Sequence, residues 1–165
     1  MWFFQAVVMI AVLAVQGPAS AAPASSATAR PDLLEALTVL HDWDARRARA
    51  WTTDDTRALR SLYVPGARAG QADVHLLNAY RAQGLGVRRL VTQVYAVRVL
   101  HRGTGSLGLS VFDRVAGGEL VRGRHAVTLR SSQPVTRLIE LRRVAGHWLV
   151  AGITGSGRAP RAGRP

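Results

Sequence analysis

Near residue 87 the apolar period of this chain changes from that of a helix to that of a strand, and it does not change back. Before the change, Leu33, Leu37, Leu40, Trp43 or Asp44, and Trp51 fall near the i, i+3, i+4, i+7 series, with Asp32 as an N-cap, and predict a helix over 33–51. Thr52-Thr53-Asp54-Asp55 interrupts it and offers a cap to a second short helix carrying Leu59 and Leu62, which ends before Pro65-Gly66. A third helix over 71–83 carries Val74, Leu77 and Tyr80 and stops at Gly84.

After the change the chain turns β-branched. Val91 to Val99 reads as part of a long strand, Gly103-Thr104-Gly105 as a turn, and Leu107, Leu109 and Val111, alternating with Gly108, Ser110 and Phe112, as a second strand. Gly117-Gly118 predicts a looser connection, followed by a short strand over 124–130. Val135 to Val144 and His147 to Ile153 predict two further strands around Ala145-Gly146. Segregated helices and strands of this kind predict an α+β domain, three helices packed on a curved antiparallel meander.

The flanks read differently. The run from Trp2 to Val15 is apolar apart from Gln5, the length of a signal h-region and short for a bilayer span. Gly17-Pro18 and then Ala19-Ser20-Ala21 follow, so residues 1–21 are expected to be a signal peptide cleaved after Ala21, or an N-terminal membrane anchor if uncleaved. Residues 22–31 have the small-residue and proline content of a flexible linker, 32–154 form the domain, and 155–165 read as a disordered basic tail. The expected location is secreted or on the extracytoplasmic side of the cell envelope. With no cysteine in the chain, disulfides, thiolate metal sites, thiol nucleophiles and lipoprotein acylation are excluded.

Charge is uneven. All 22 basic side chains are arginine, a bias expected of a GC-rich genome, and residues 74–165 hold 15 of them against Asp113, Glu119 and Glu140. The net +12 therefore lies in that part, which suits an anionic envelope surface. A nucleic-acid partner is not expected, because the arginines are scattered through strands without interleaved aromatics.

The helix–strand order, the run from Arg46 through Asp54-Asp55, Leu59, Leu62-Tyr63 and Pro65-Gly66, and the closing Trp148 strand resemble the SnoaL-like, nuclear-transport-factor-2-like superfamily over about residues 33–153. The resemblance implies a cone-shaped α+β barrel in which three helices close the mouth of a curved sheet around a small-molecule pocket. Its members include isomerases, cyclases, dehydratases and non-catalytic binding or dimerisation modules, so it implies a fold more than a function. The aromatic residues expected at such a pocket are Trp43, Tyr63, Tyr80, Tyr95 and Trp148.

No motif names a chemistry. Gly103 to Gly108 spells G-x-G-x-x-G, but the helix that receives a pyrophosphate and the acid about 20 residues later are missing, so no dinucleotide is expected. The five histidines stand more than 20 residues apart and no metal or other cofactor is expected. Acid–base chemistry would draw on Asp73 or Asp113 with Tyr63, Tyr80 or Tyr95 as donor, each of which has an ordinary structural reading. The leading expectation is a non-catalytic module that binds a protein partner, a second copy of itself or a small apolar ligand. The alternative is a small isomerase, cyclase or dehydratase.

Overall fold

The computed structural model describes residues 26–156. The expected signal segment, its cleavage site at Ala21, the first residues of the linker and the tail beyond Ser156 lie outside them. Three helices, α1 (Ser26–Thr52), α2 (Thr56–Arg60) and α3 (Arg68–Ala82), precede five strands, β1 (Leu85–Gly103), β2 (Ser106–Arg122), β3 (His125–Thr128), β4 (Val135–Val144) and β5 (His147–Ser156). The α+β order expected from the periodicity is the order observed.

Some boundaries differ, each for a local reason. The first helix begins at Ser26, inside the segment expected as linker, where Ala27, Ala29 and Arg30 are good helix formers. Asp32 therefore sits within α1 instead of capping it, and its carboxylate accepts a 2.9 Å hydrogen bond from Arg102 of β1. Gly117-Gly118 does not break the second strand, because both neighbours hold it: Gly117 pairs with Val91, and Glu119 with both Arg88 and Thr128. At the other end, pairing with Thr136 and Arg137 carries β5 to Ser156.

The sheet runs β1-β2-β4-β5 with β3 on the far half of β2, and every pairing between strands is antiparallel. Thr104-Gly105 joins β1 to β2 across the closing pair Gly103–Ser106, so the glycine-rich run is a hairpin turn. The 19 residues of β1 are interrupted by four register shifts, one next to Arg89 at φ 50°, and such bulges bend a strand and increase its twist. They give the sheet the curvature that the three helices can close.

Alternation sorts the two faces. Along β2, Leu107, Leu109, Val111, Asp113 and Val115 are buried under the helices. Ser110 and Phe112 point to the other face, where Tyr95 packs its ring 5.5 Å from that of Phe112. The inner face meets Trp43 and Trp51 of α1, Leu59 of α2 and Val74 and Leu77 of α3 in one core with Ile139, Leu141 and Val150.

Asp55 caps α2, its Oδ1 accepting from the Ala58 amide at 2.8 Å. The link from α2 to α3 is tied to the sheet by Val64 N–H to the Val150 carbonyl at 2.9 Å and by Val150 N–H to the Leu62 carbonyl at 3.0 Å. This brings the Tyr63 ring against Gly70 of α3, where an added Cβ would stand 2.6 Å from the Tyr63 Cγ. An alanine in place of a helical glycine ordinarily stabilises by about 0.5–1 kcal/mol. Here the ring leaves it no room, and Gly70→Ala is expected to destabilise by about 1–3 kcal/mol in urea unfolding.

Candidate functional site

On α1, Leu40, Trp43, Asp44, Arg47 and Trp51 recur at intervals of three and four, so one stripe carries both large apolar groups and charges into the interior. The Arg47 guanidinium lies between two indoles, 5.9 Å from the Trp43 ring and 5.8 Å from that of Trp51. Asp73 of α3, only 1% exposed, faces it. Arg47 donates to Asp73 from Nε to Oδ2 at 2.7 Å and from Nη2 to Oδ1 at 2.6 Å, a two-point pairing. Trp51 Nε1 donates to Oδ1 at 3.2 Å and the Tyr63 hydroxyl to Oδ2 at 2.7 Å.

These contacts decide what the group can do. Burial works against the charge of Arg47, but Asp73 outweighs it and holds the guanidinium protonated above its ordinary range. Burial first, and the charge of Asp73 in addition, push the Tyr63 phenol far up, against the opposing pull of Arg47. A tyrosine that keeps its proton and already donates it, to a carboxylate with four donors, makes a brace between α1, α3 and the link before α3.

A second polar group lies under the sheet. Asp113 on the inner face of β2 is ion-paired to Arg137 of β4, which lies opposite Val111 in the ladder. Thr92 of β1 shares that face, being two residues from Val94, the pairing partner of Asp113. Asp44 of α1 closes the group from the helix side. Its carboxyl is pushed up to about 7, by burial first, with Asp113 adding and Arg47 and Arg137 opposing. Asp113 is raised as well, by burial against the pull of Arg137. Among the described residues neither Asp44 Oδ2 nor Thr92 Oγ1 has a hydrogen-bond partner. Near neutral pH, then, Asp44 exists in both protonation states, which is the chemical requirement for a general acid or base.

A concavity of the described residues lies beside the helices, and none of Asp44, Asp113 and Arg137 lines it. It is a groove of about 830 Å³ between α2, the α2–α3 link, one side of α3 and the β4–β5 turn. Val64, Pro65, Val74, Val144 and Leu149 supply its apolar surface, and Arg57, Arg60 and His75 its basic groups.

The residues expected to matter fall into separate places. Asp73 and Tyr63 meet in the Arg47 brace, where Trp43 stacks edge-on against Tyr63 at 5.7 Å. Tyr80 packs edge-on against Trp51 at 5.9 Å, its hydroxyl pKa raised by burial. Trp148 is half-buried against the core, whereas Tyr95 stands on the outer face of the sheet, 45% exposed. Asp113 belongs to the inner cluster. Arg47 and Arg137 carry no motif, and Asp44 enters the sequence reading only as a position of the α1 stripe; the signal for Asp44 and Arg47 is that they break an otherwise apolar helical stripe.

No protein-family model and no curated protein sequence matches the chain. Solved structures do match. Aln2 from a Streptomyces species superposes with a TM-score of 0.52 at 15% identity, over 73% of this chain and 89% of that one. The intermembrane space region of the chloroplast protein ARC6 gives 0.52 at 16% identity, over 74% and 94%. A protein from Catenulispora acidiphila gives 0.52 at 12% identity, over 75% and 92%.

Two measurements check this account. Asp73→Ala strands a buried guanidinium and is expected to cost about 3–5 kcal/mol in denaturant unfolding, while replacing both partners by Arg47→Met with Asp73→Leu recovers most of that loss. Asp44 holds its proton more tightly in the folded chain, so it lowers stability as pH rises between its unfolded value of 3.8 and about 7. Asp44→Asn removes its share of the slope, on the order of 4 kcal/mol, and gains over the parent at pH 8 but not at pH 4.

Proposed function

We propose, from the SnoaL-like cone fold that the chain carries, that it is an extracytoplasmic binding module whose ligand seats in the groove between α2, α3 and the β4–β5 turn. The observation that carries this reading is the contrast between the two sides of the helices. Inside, Asp73 and Tyr63 are consumed by the Arg47 brace and Asp113 by Arg137, so these carboxylates and this phenol already have partners. Outside, a concavity of the size that small molecules occupy combines apolar walls with basic groups and is lined by no carboxylate. The apolar segment at the start of the chain is the support for an extracytoplasmic location.

One observation favours a second reading. Asp44, raised to about 7 with an unpartnered oxygen beside the Asp113–Arg137 pair, has the protonation behaviour of a general acid or base. An isomerase, cyclase or dehydratase using it would move a proton at Asp44 and steady the developing anion with Arg137.

Native mass spectrometry of the chain, purified without detergent from an exporting host, separates the two. A binding module is expected to carry an adduct that is lost on unfolding, or to take up an apolar fluorophore in proportion to protein, and to do so unchanged in Asp44→Asn. A protein that stays bare and takes up no apolar probe would sink the groove reading. Turnover of a keto–enol or dehydration substrate that disappears in a stably folded Asp44→Asn would establish the enzyme instead.

A further inference from the structure

Resting on the groove reading, we infer that its ligand is a single-chain amphiphile with an anionic head, a free long-chain carboxylic acid. Its acyl chain lies on the apolar floor, and its carboxylate is held by Arg57 and Arg60.

The head is assigned by charges that have no ion-pair partner among the described residues. Arg57 and Arg60 stand three residues apart on α2, so their side chains emerge on one side of it, and both line the groove. Among the described residues neither forms an ion pair, although two carboxylates lie just before them in the chain. Those two are engaged elsewhere. Asp54 pairs with Arg81 at 3.0 Å, and Asp55 spends an oxygen on the amide that starts α2. The two guanidinium groups therefore face the groove without an anion supplied by the surrounding described residues. Two adjacent guanidinium groups match a carboxylate by paired N–H donors, which an alcohol cannot replace.

The tail is assigned by what the floor offers and what it withholds. Val64, Pro65, Val74, Val144 and Leu149 make an apolar surface, and Val144 is 43% exposed on the turn. A peptide laid in the groove would need main-chain partners, but several of the nearby ones are used. Val64 N–H bonds to Val150, Val150 N–H to Leu62, and Ala67 N–H to the Val64 carbonyl at 2.9 Å. Beyond its first turn, the backbone of α3 is bonded within its helix. A hydrocarbon chain asks for no such partners and gains by leaving water.

Calorimetric titration with dodecanoate, dodecanol and acetate at pH 8, below micelle formation, tests this, with anionic phospholipid vesicles as a fourth arm. Dodecanoate is expected to bind at least about tenfold more tightly than dodecanol, and acetate not measurably, since the head and the tail are both needed. The exposed double variant Arg57→Ala/Arg60→Ala is expected to lose about tenfold or more for dodecanoate and little for dodecanol. Val144→Asp is expected to weaken both.

Equal affinity for acid and alcohol, unmoved by loss of the two arginines, would leave an apolar groove and overturn the anionic head. Binding to vesicles without binding of the monomeric acid would overturn the inference in favour of a membrane surface. Failure of both acid and alcohol to bind would remove the groove reading itself.

Discussion

The fold turns on one ion pair held out of water. Arg47 and Asp73 belong to helices separated by a short helix and a turn, and each would be costly to bury alone. Together, with two indole faces around the guanidinium and two further donors on the carboxylate, every strong hydrogen-bonding site on the acid is met. The pair fixes α3 against α1 at a set rotation, because a two-point contact between planar groups has little freedom to turn. Tyr63 extends the same constraint into the link before α3, and that link is what reaches the last strand. The wall of the outer groove is thus positioned from the interior.

The two polar groups under the helices differ in completeness, and that difference separates scaffold from chemistry. Around Asp73 the donors match the acceptors. Around Asp44 they do not: one oxygen is left over, Arg137 is already engaged by Asp113, and burial then favours the neutral acid. A carboxyl in that position is a poor strut. It is retained in a core at a cost in stability at neutral pH, which is why it carries the second reading of the function.

The order of elements was legible in the sequence because each half of the chain repeats its own period, and the hairpin at Thr104-Gly105 because only a tight turn fits between two alternating runs. The length of β2 was not. Two successive glycines read as a break by local propensity, and only pairing on both sides, with β1 and β3, keeps them in the strand. Asp32 looked like a cap because helix starts favour aspartate; its partner, Arg102, is seventy positions away. The candidate site shows the same limit. Asp73 and Tyr63 were chosen for their types, yet what they do depends on Arg47, 26 residues before Asp73 in sequence. The groove could not be foreseen, since its walls come from α2, α3 and a turn that only the folded sheet brings alongside.

The short parallel bridge between Tyr63 and Val150 has an effect on the protein's neighbours as well as on its interior. It lies along the outer side of β5, where an open sheet would otherwise present unpaired amides and carbonyls to any passing extended chain. At the opposite margin, β1 is kinked by its four register shifts and does not offer a straight run of such groups. At Val150 and along the kinked β1, less of the sheet's margin is open to strand addition from other molecules.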